Sequence, residues 1–564
     1  MLSFSTRLVA GLGFSLICAV AMAQNVDRLS QVADTLARDS QFSGTVLVAK
    51  GDRVLLSRGY GDANVEWHVR NRPDTRFRLG SVTKQFTAAA VLLLQDQGKL
   101  KLTDAIGQYL PELPAAWHPV TVQQLLTHTS GIHSFTQVPE YANLAHFART
   151  PAEILAVVQT LPLDFEPGSR FDYSNSNYVL LGMLIEKQSG KSYAEFIQKQ
   201  IFVPLGMKDS GYDSNTAIVP NRAAGYHNTG RGLSNAGYID MSVPYAAGAL
   251  YSTSGDLLRW QRALYEGRLL SPEALRAMTT PVRNGYAFGL MVRDAPDGKE
   301  VGHGGNINGF STLIGYRPNE RISVILLSNI EATDLSSMER SLFQVTRGKT
   351  LRLPSERKAI PIALGRLLQV AGVYAMPDGS RFRVRLEDGR LSARLGGTSW
   401  TPIFAESDDH FFARSVDAQF EVIRSDKGTV DVLTLVQNGK RIRMERIADN
   451  APEYATLPFY LRGDMNGWGT SDRMSMTDGH TFTATIKLDK RRYAFKLGSE
   501  DFKKIDIGAY EGKETVIEGA ALPLEDNGQN LQIDIPESGA YRFTLDTTDA
   551  RVPRLAVTRV AGDQ

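Results

Sequence analysis

A chain of 564 residues is too long for one domain, and with 42% hydrophobic and 22% charged residues it has the balance of an ordinary globular protein. A formal net charge of +2 supplies no basic field for nucleic acid, so a nucleic-acid partner is not expected. The one cysteine, Cys18, lies in a segment expected to be removed, which excludes disulfides, thiolate chemistry and cysteine-metal sites from the mature chain.

Arg7, the apolar run from Leu8 to Val20, and Ala21-Met22-Ala23 form the three parts of a signal peptide. Residues 1–23 are therefore expected to leave, with the mature chain starting at Gln24. The run is shorter than the ~20 residues that span a bilayer, so no stable membrane span is expected after cleavage. A periplasmic or secreted location follows. Ile17 stands where a lipoprotein signal needs a small residue, which argues against lipidation of Cys18.

Gly44 to Ala49 and Arg53 to Arg58 read as a hairpin around Lys50-Gly51-Asp52. Thr75 to Gly80 is strand-like. Ser81-Val82-Thr83-Lys84 then opens a run of helix formers to Leu94, with few breakers before Gly98. Further helices are expected at 152–159, 178–189 and 193–201. Phe310 to Tyr316 and Ile322 to Ser328 read as paired strands around Pro318-Asn319. Strands at both ends with helices between predict an α+β domain over 24–350: an antiparallel sheet with flanking helices and a helical subdomain. Leu351 to Ile362 reads as a linker. Residues 365–448 alternate as short strands and predict a small all-β module. A polar break precedes a second all-β module at 453–564, the size of an immunoglobulin-like sandwich.

Three stretches carry chemistry. On a helix, Ser81 and Lys84 share a face, so the lysine amine can reach the serine hydroxyl and activate it. Tyr173-Ser174-Asn175 falls in a turn before a helix. A tyrosine beside an ammonium is expected to have its pKa lowered and to share base work with Lys84. Asn175 offers an amide that can bond both lysine and substrate. Gly302-His303-Gly304-Gly305-Asn306 reads as an edge strand whose glycines let a ligand approach. The backbone N–H groups of Ser81 and Asn306 are the candidate oxyanion hole. Singly, each stretch has a bland reading: a chance tetrad, a turn with a buried tyrosine, a glycine-rich turn with an incidental histidine.

Together, in this order and spacing, the three motifs resemble the serine β-lactamase and penicillin-binding-protein superfamily, in its class C-like branch. Leu102-Thr103-Asp104, Leu125 to Ile132 and Ala247 to Thr253 resemble the same branch. The resemblance implies a β-lactamase/transpeptidase-like fold, acyl transfer to Ser81, and Lys84, Tyr173, Asn175 and His303 as catalytic residues. It implies Gly304 and Gly305 as substrate-binding positions, and neither a metal nor an organic cofactor. His128 belongs to a stretch the family uses structurally near the site. As a metal pair, His128 and His133 lack a carboxylate at ligand spacing.

One departure is that His303 stands where class C β-lactamases carry lysine. A histidine near pH 7 is largely neutral and holds an anionic group less firmly. The expectation therefore moves toward an esterase or D-amino-acid peptidase acting on a small ester, amide or peptide. Two alternatives stay open. One is a D-alanyl carboxypeptidase or β-lactamase acting on cell-wall compounds. The other is a glycan-binding protein with a weak hydrolase domain. The middle module resembles lipocalin-like β domains. The last resembles the immunoglobulin-like modules of pullulanases and glycogen-binding proteins, which implies Trp468 and Phe502 as candidates for stacking on polysaccharide or peptidoglycan.

Overall fold

The computed structural model describes residues 26–560 apart from 39–41, 229–231, 296–297, 353–355, 388, 396–399, 415–417, 427, 438–439, 448–457, 503–504, 511, 527 and 549–552. The expected signal peptide and Cys18 lie outside the described residues, as does most of the break before the last module. Among the described residues no helix is long and apolar enough to cross a membrane. The chain divides after Leu351 into two units.

The first unit is built on a six-stranded antiparallel sheet. Its order is Met291–Ala295, Gly298–Ile307, Phe310–Arg317, Ile322–Ser328, Gly44–Lys50, Arg53–Tyr60. The expected hairpin forms with Gly51 at φ +55° in its turn, a conformation that favours glycine. The strands at 310–317 and 322–328 form nearly as read, joined by a 3₁₀ turn at Pro318–Glu320. Val46 pairs with Leu326, so the two ends of the unit meet in the middle of the sheet.

The helices lie between. Thr83–Asp96 is buried along almost its whole length, and Phe86, Leu92 and Leu94 are fully shielded. Asn175–Ser189 packs within the same core and ends at Gly190 in the left-handed region. The helix expected at 193–201 is α only over Tyr193–Ile197 and then widens into a π turn at Gln198–Phe202. The helix expected at 152–159 closes at Pro151–Ala156. The strand expected at 75–80 shrinks to Phe77–Arg78, paired with Leu250–Ser252, because Gly80 at φ +52° turns the chain out of extension.

The second unit starts with a short helix, Leu364–Val370, where the sequence reading began β structure. Eight strands, from Gly372–Ala375 to Lys440–Ile447, then run in sequence order and close as a barrel when Val373 pairs with Ile447. Phe382, Phe411, Phe420, Leu433 and Met444 fill it, so the interior is a packed core. Among the described residues eleven strands, from Tyr460–Gly463 to Arg554–Arg559, make the last module around Leu461, Phe495, Phe543 and Leu545.

Barrel and last module are tied by charge. Arg381 and Arg383 reach the Asp526 carboxylate at 2.8 and 2.5 Å, and Arg394 reaches Glu525 at 3.0 Å. Arg394 is almost fully buried, with the Trp400 ring 4.6 Å from its guanidinium.

Candidate active site

The nucleophile candidate sits at a bend. Phe77–Arg78 is extended, Gly80 turns the chain, and Gly80–Val82 is a 3₁₀ turn that feeds the helix from Thr83. A Cβ on Gly80 would lie 2.9 Å from the Asn306 carbonyl oxygen, so the bend is pressed against the glycine-rich strand. Ser81 is half-exposed, while Lys84 one turn on is fully buried.

Lys84 Nζ lies 3.1 Å from Ser81 Oγ. It also lies 2.8 Å from Asn175 Oδ1 and 2.9 Å from the Ala247 carbonyl oxygen. The last two atoms only accept, so they take two amine hydrogens. Burial drives the Lys84 ammonium well below its ordinary range. A neutral amine has two hydrogens and one lone pair. With both hydrogens engaged, the lone pair is left for the Ser81 hydroxyl. The Tyr173 and Tyr178 ring faces lie 4.9 and 5.4 Å from Nζ.

Asn175 is itself held. Its Nδ2 donates to Thr136 Oγ1 at 3.0 Å, and its backbone N–H donates to Ser134 Oγ at 3.1 Å. Tyr173 departs from expectation. Its hydroxyl is shut off from solvent and makes no hydrogen bond to the described residues. Burial raises its pKa, against a smaller opposing pull from Ser81. The phenol stays protonated, because loss of solvation outweighs the pull of Ser81.

His128 supports this loop. It is fully buried at φ +55°, accepts from the Ser174 N–H at 3.1 Å, and stacks 4.1 Å from the Tyr173 ring. His133 instead faces Asp164 at 3.0 Å, so the two histidines are engaged separately. Among the described residues no His, Cys, Asp and Glu group could hold a metal.

The glycine-rich strand is an edge over only half its length. Met291–Ala295 covers Gly298 to Gly302, and His303 to Ile307 are left open on that side. The two-residue turn Asn308-Gly309 makes Ile307 and Phe310 a hydrogen-bonded pair. Alternation then turns the N–H and C=O of Asn306 and Gly304 to the open side. Gly305 meets the bend: a Cβ there would lie 2.1 Å from Leu79 O and 3.0 Å from Ser81 N. The Ser81 N–H and the outward Asn306 N–H, the candidate oxyanion donors, thus lie on neighbouring stretches of chain.

His303 shares the face of Gly305, but both its ring nitrogens are occupied. Nδ1 is 2.5 Å from Gly304 O and Nε2 is 3.0 Å from Tyr286 Oη. Burial, then the Lys84 charge, push its pKa down to about 4. The sequence reading made His303 a largely neutral catalytic residue; here the ring is neutral and internally bonded.

Sequence reasoning missed Tyr286, Thr136 and Ser134. Tyr286 carries no signal beyond its place in the Asn284-Gly285 turn.

In the second unit, Trp468 and Phe502 are half-buried. Trp468 Nε1 donates to Asp464 at 3.3 Å. The Phe502 ring rests against Gly498, with the Arg462 guanidinium 4.2 Å from its centre. Neither ring stands clear of its own domain.

Comparison with known proteins agrees with this geometry. The family model described as Beta-lactamase matches residues 26–346. The chain is 31% identical to penicillin-binding protein 4* of Bacillus subtilis over 437 residues, covering 71% of this chain and 94% of the relative. The octameric penicillin-binding protein homologue from Pyrococcus abyssi superposes with a TM-score of 0.54 at 28% identity, covering 74% of this chain and 99% of that one. The D-amino acid amidase from Ochrobactrum anthropi gives 0.51 at 26% identity, covering 58% and 98%. The chain belongs to the beta-lactamase family and is a serine hydrolase that works through an acyl-enzyme.

Proposed function

We propose that the protein is an esterase or D-amino-acid amide hydrolase, acting in the periplasm or outside the cell, with Ser81 as nucleophile and Lys84 as base. The observation that carries this is the Lys84 amine, buried and held by two pure acceptors with its lone pair left for Ser81. Ser81 attacks the carbonyl carbon as its proton passes to Lys84. The oxyanion forms against the N–H groups of Ser81 and Asn306. Collapse expels the alcohol or amine, which takes a proton from Lys84. Water then attacks the acyl-Ser81 ester by the reverse use of the same groups. Tyr173 keeps its proton in this mechanism, so the base role read from sequence falls to Lys84 alone. The structural likeness to a D-amino acid amidase supports the amide arm of this reading.

A second reading, β-lactam recognition, is favoured by the relatives named as penicillin-binding proteins. Intact-mass analysis after a fluorophosphonate probe tests the nucleophile. One adduct is expected on the wild type and none on Ser81→Ala. A screen of p-nitrophenyl esters, D-amino-acid amides and a chromogenic cephalosporin then ranks the substrates. Turnover confined to the cephalosporin would replace the first reading with the second.

A further inference from the structure

We propose that Tyr286 is a positioning residue that sets the charge preference of the site: its hydroxyl locks His303 as a neutral imidazole, and the wall beside Ser81 then disfavours substrates with a free carboxylate at the reacting end. This rests on the assignment of Ser81 and Lys84 above and narrows its substrate class to neutral or amine-bearing esters and amides.

The hydrogen bonds decide the tautomer. Gly304 O can only accept, so His303 Nδ1 carries the proton at that 2.5 Å contact. In a neutral ring Nε2 is then the acceptor, and the 3.0 Å contact is Tyr286 O–H donating to it. Protonation of Nε2 would set its N–H against the O–H that now donates to it. Tyr286 would have to turn its hydrogen away in a site where it is 1% exposed. Burial, with His303 pushed down to about 4 and the Tyr286 phenol held far above its ordinary range, agrees with this arrangement.

Tyr286 is fixed by its own turn. Its N–H donates to Arg283 O at 2.8 Å, and its carbonyl accepts from Val282 at 2.9 Å. Its ring packs against His128 at 4.7 Å and Phe171 at 5.6 Å. Three residues later Gly289, at φ +65°, lies so close to the Lys84 carbonyl that a Cβ would stand 2.5 Å from it. One turn therefore touches both His303 and the backbone of the base.

The charges around His303 complete the argument. Tyr286 and Tyr173 face it as phenols, and His128 is a buried ring driven neutral. Lys84 is held less tightly charged by burial, and its Nζ is already committed to Ser81, Asn175 and Ala247. Arg293 lies on the opposite face of the sheet, within 3.5 Å of the Glu339 carboxylate and beside Glu300. Among these groups a substrate carboxylate meets no available cation, and desolvating it there costs affinity.

The test compares an aryl ester with the same ester bearing a carboxylate on its leaving ring, across pH 5 to 8. ¹⁵N-histidine NMR reads His303 directly, assigned by loss of its signals in His303→Gln. In the wild type we expect the Nδ1–H tautomer, no titration above about pH 5, and a preference of about tenfold or more for the neutral ester at every pH. In Tyr286→Phe, Nε2 loses its donor. His303 should then titrate between pH 5 and 7, and the preference should shrink at least fivefold at the acid end alone. A purely structural role for Tyr286 would lower both esters together and leave the ratio flat. That flat ratio, an Nε2–H tautomer, or wild-type titration near 6.5 would overturn the proposal. If Tyr286→Phe fails to fold, His303→Lys decides: a fixed cation should favour the carboxylated ester, and an unchanged ratio rejects the idea. Failure of the Ser81 assignment would show separately, as absence of the probe adduct on folded wild type.

Discussion

At the scale of single residues, the site turns on Lys84. Burial holds its ammonium below the ordinary 10.5, so the folded chain binds that proton less tightly than the unfolded chain. Stability from this position is therefore complete only above the unfolded value and is lost as pH falls toward the depressed one. Lys84→Met should lower kcat/KM by about 10³, a general base's usual contribution. It should also raise Tm at pH 7, and that gain should fade as pH climbs toward 10.5. Melting curves at pH 7 and pH 10 check it, and a lower Tm at pH 7 would refute the buried-amine argument. The spacing of Ser81 and Lys84 was legible in sequence because i and i+3 meet on any helix. The Tyr173 pKa was not. Sequence shows an ammonium in the motif, but burial of the phenol, which sets the direction, depends on side chains distant in the chain such as His128 and Tyr286. The Ala247 carbonyl was equally hidden, since every residue has one.

At the scale of elements, close approach of the strand at Gly298–Ile307 to the Ser81 bend separates two adjacent glycines. A Cβ at Gly305 would lie 2.1 Å from Leu79 O, whereas one at Gly304 meets nothing nearer than Thr312 O at 3.7 Å. Gly305→Ala should push the strand off the bend and misplace the Asn306 donor, lowering kcat by about 10²–10³. Gly304→Ala should keep most activity. Steady-state kinetics on one ester settles the contrast, and equal effects would show that Gly305 does not set the spacing. The sequence marked both glycines alike, because pattern alone does not show which one faces a neighbour. The hairpins were read well, since Gly51 and the 318–319 turn announce themselves locally. The strand at 75–80 was overread, because Gly80 ends extension one residue before Ser81.

At the scale of the molecule, the pattern of strands, helices and polar breaks predicts three modules, and the structure divides the chain in two after Leu351. The arginines at 381, 383 and 394 and the carboxylates at 525 and 526 lie far apart in sequence and carry no shared pattern, so their pairing was invisible there. Calorimetry should show barrel and last module unfolding together, as one of two transitions. Asp526→Ala leaves Arg381 and Arg383 without their carboxylate and should split that transition. A single unchanged transition would show that packing, not charge, couples the modules.

The central strand pair has a consequence for how the first unit forms. Gly44–Lys50 pairs at once with Arg53–Tyr60 along one edge, but along the other its partner is Ile322–Ser328. On the ribosome the earlier strand must wait, bare along that edge, until almost the whole unit has been made. Such distant closure makes folding slow, and the waiting edge is a place for strands of other chains to add. A chain cut short before residue 322 would keep the complete Ser81, Lys84 and Tyr173 constellation in its sequence, yet have no middle strand to hold the sheet together.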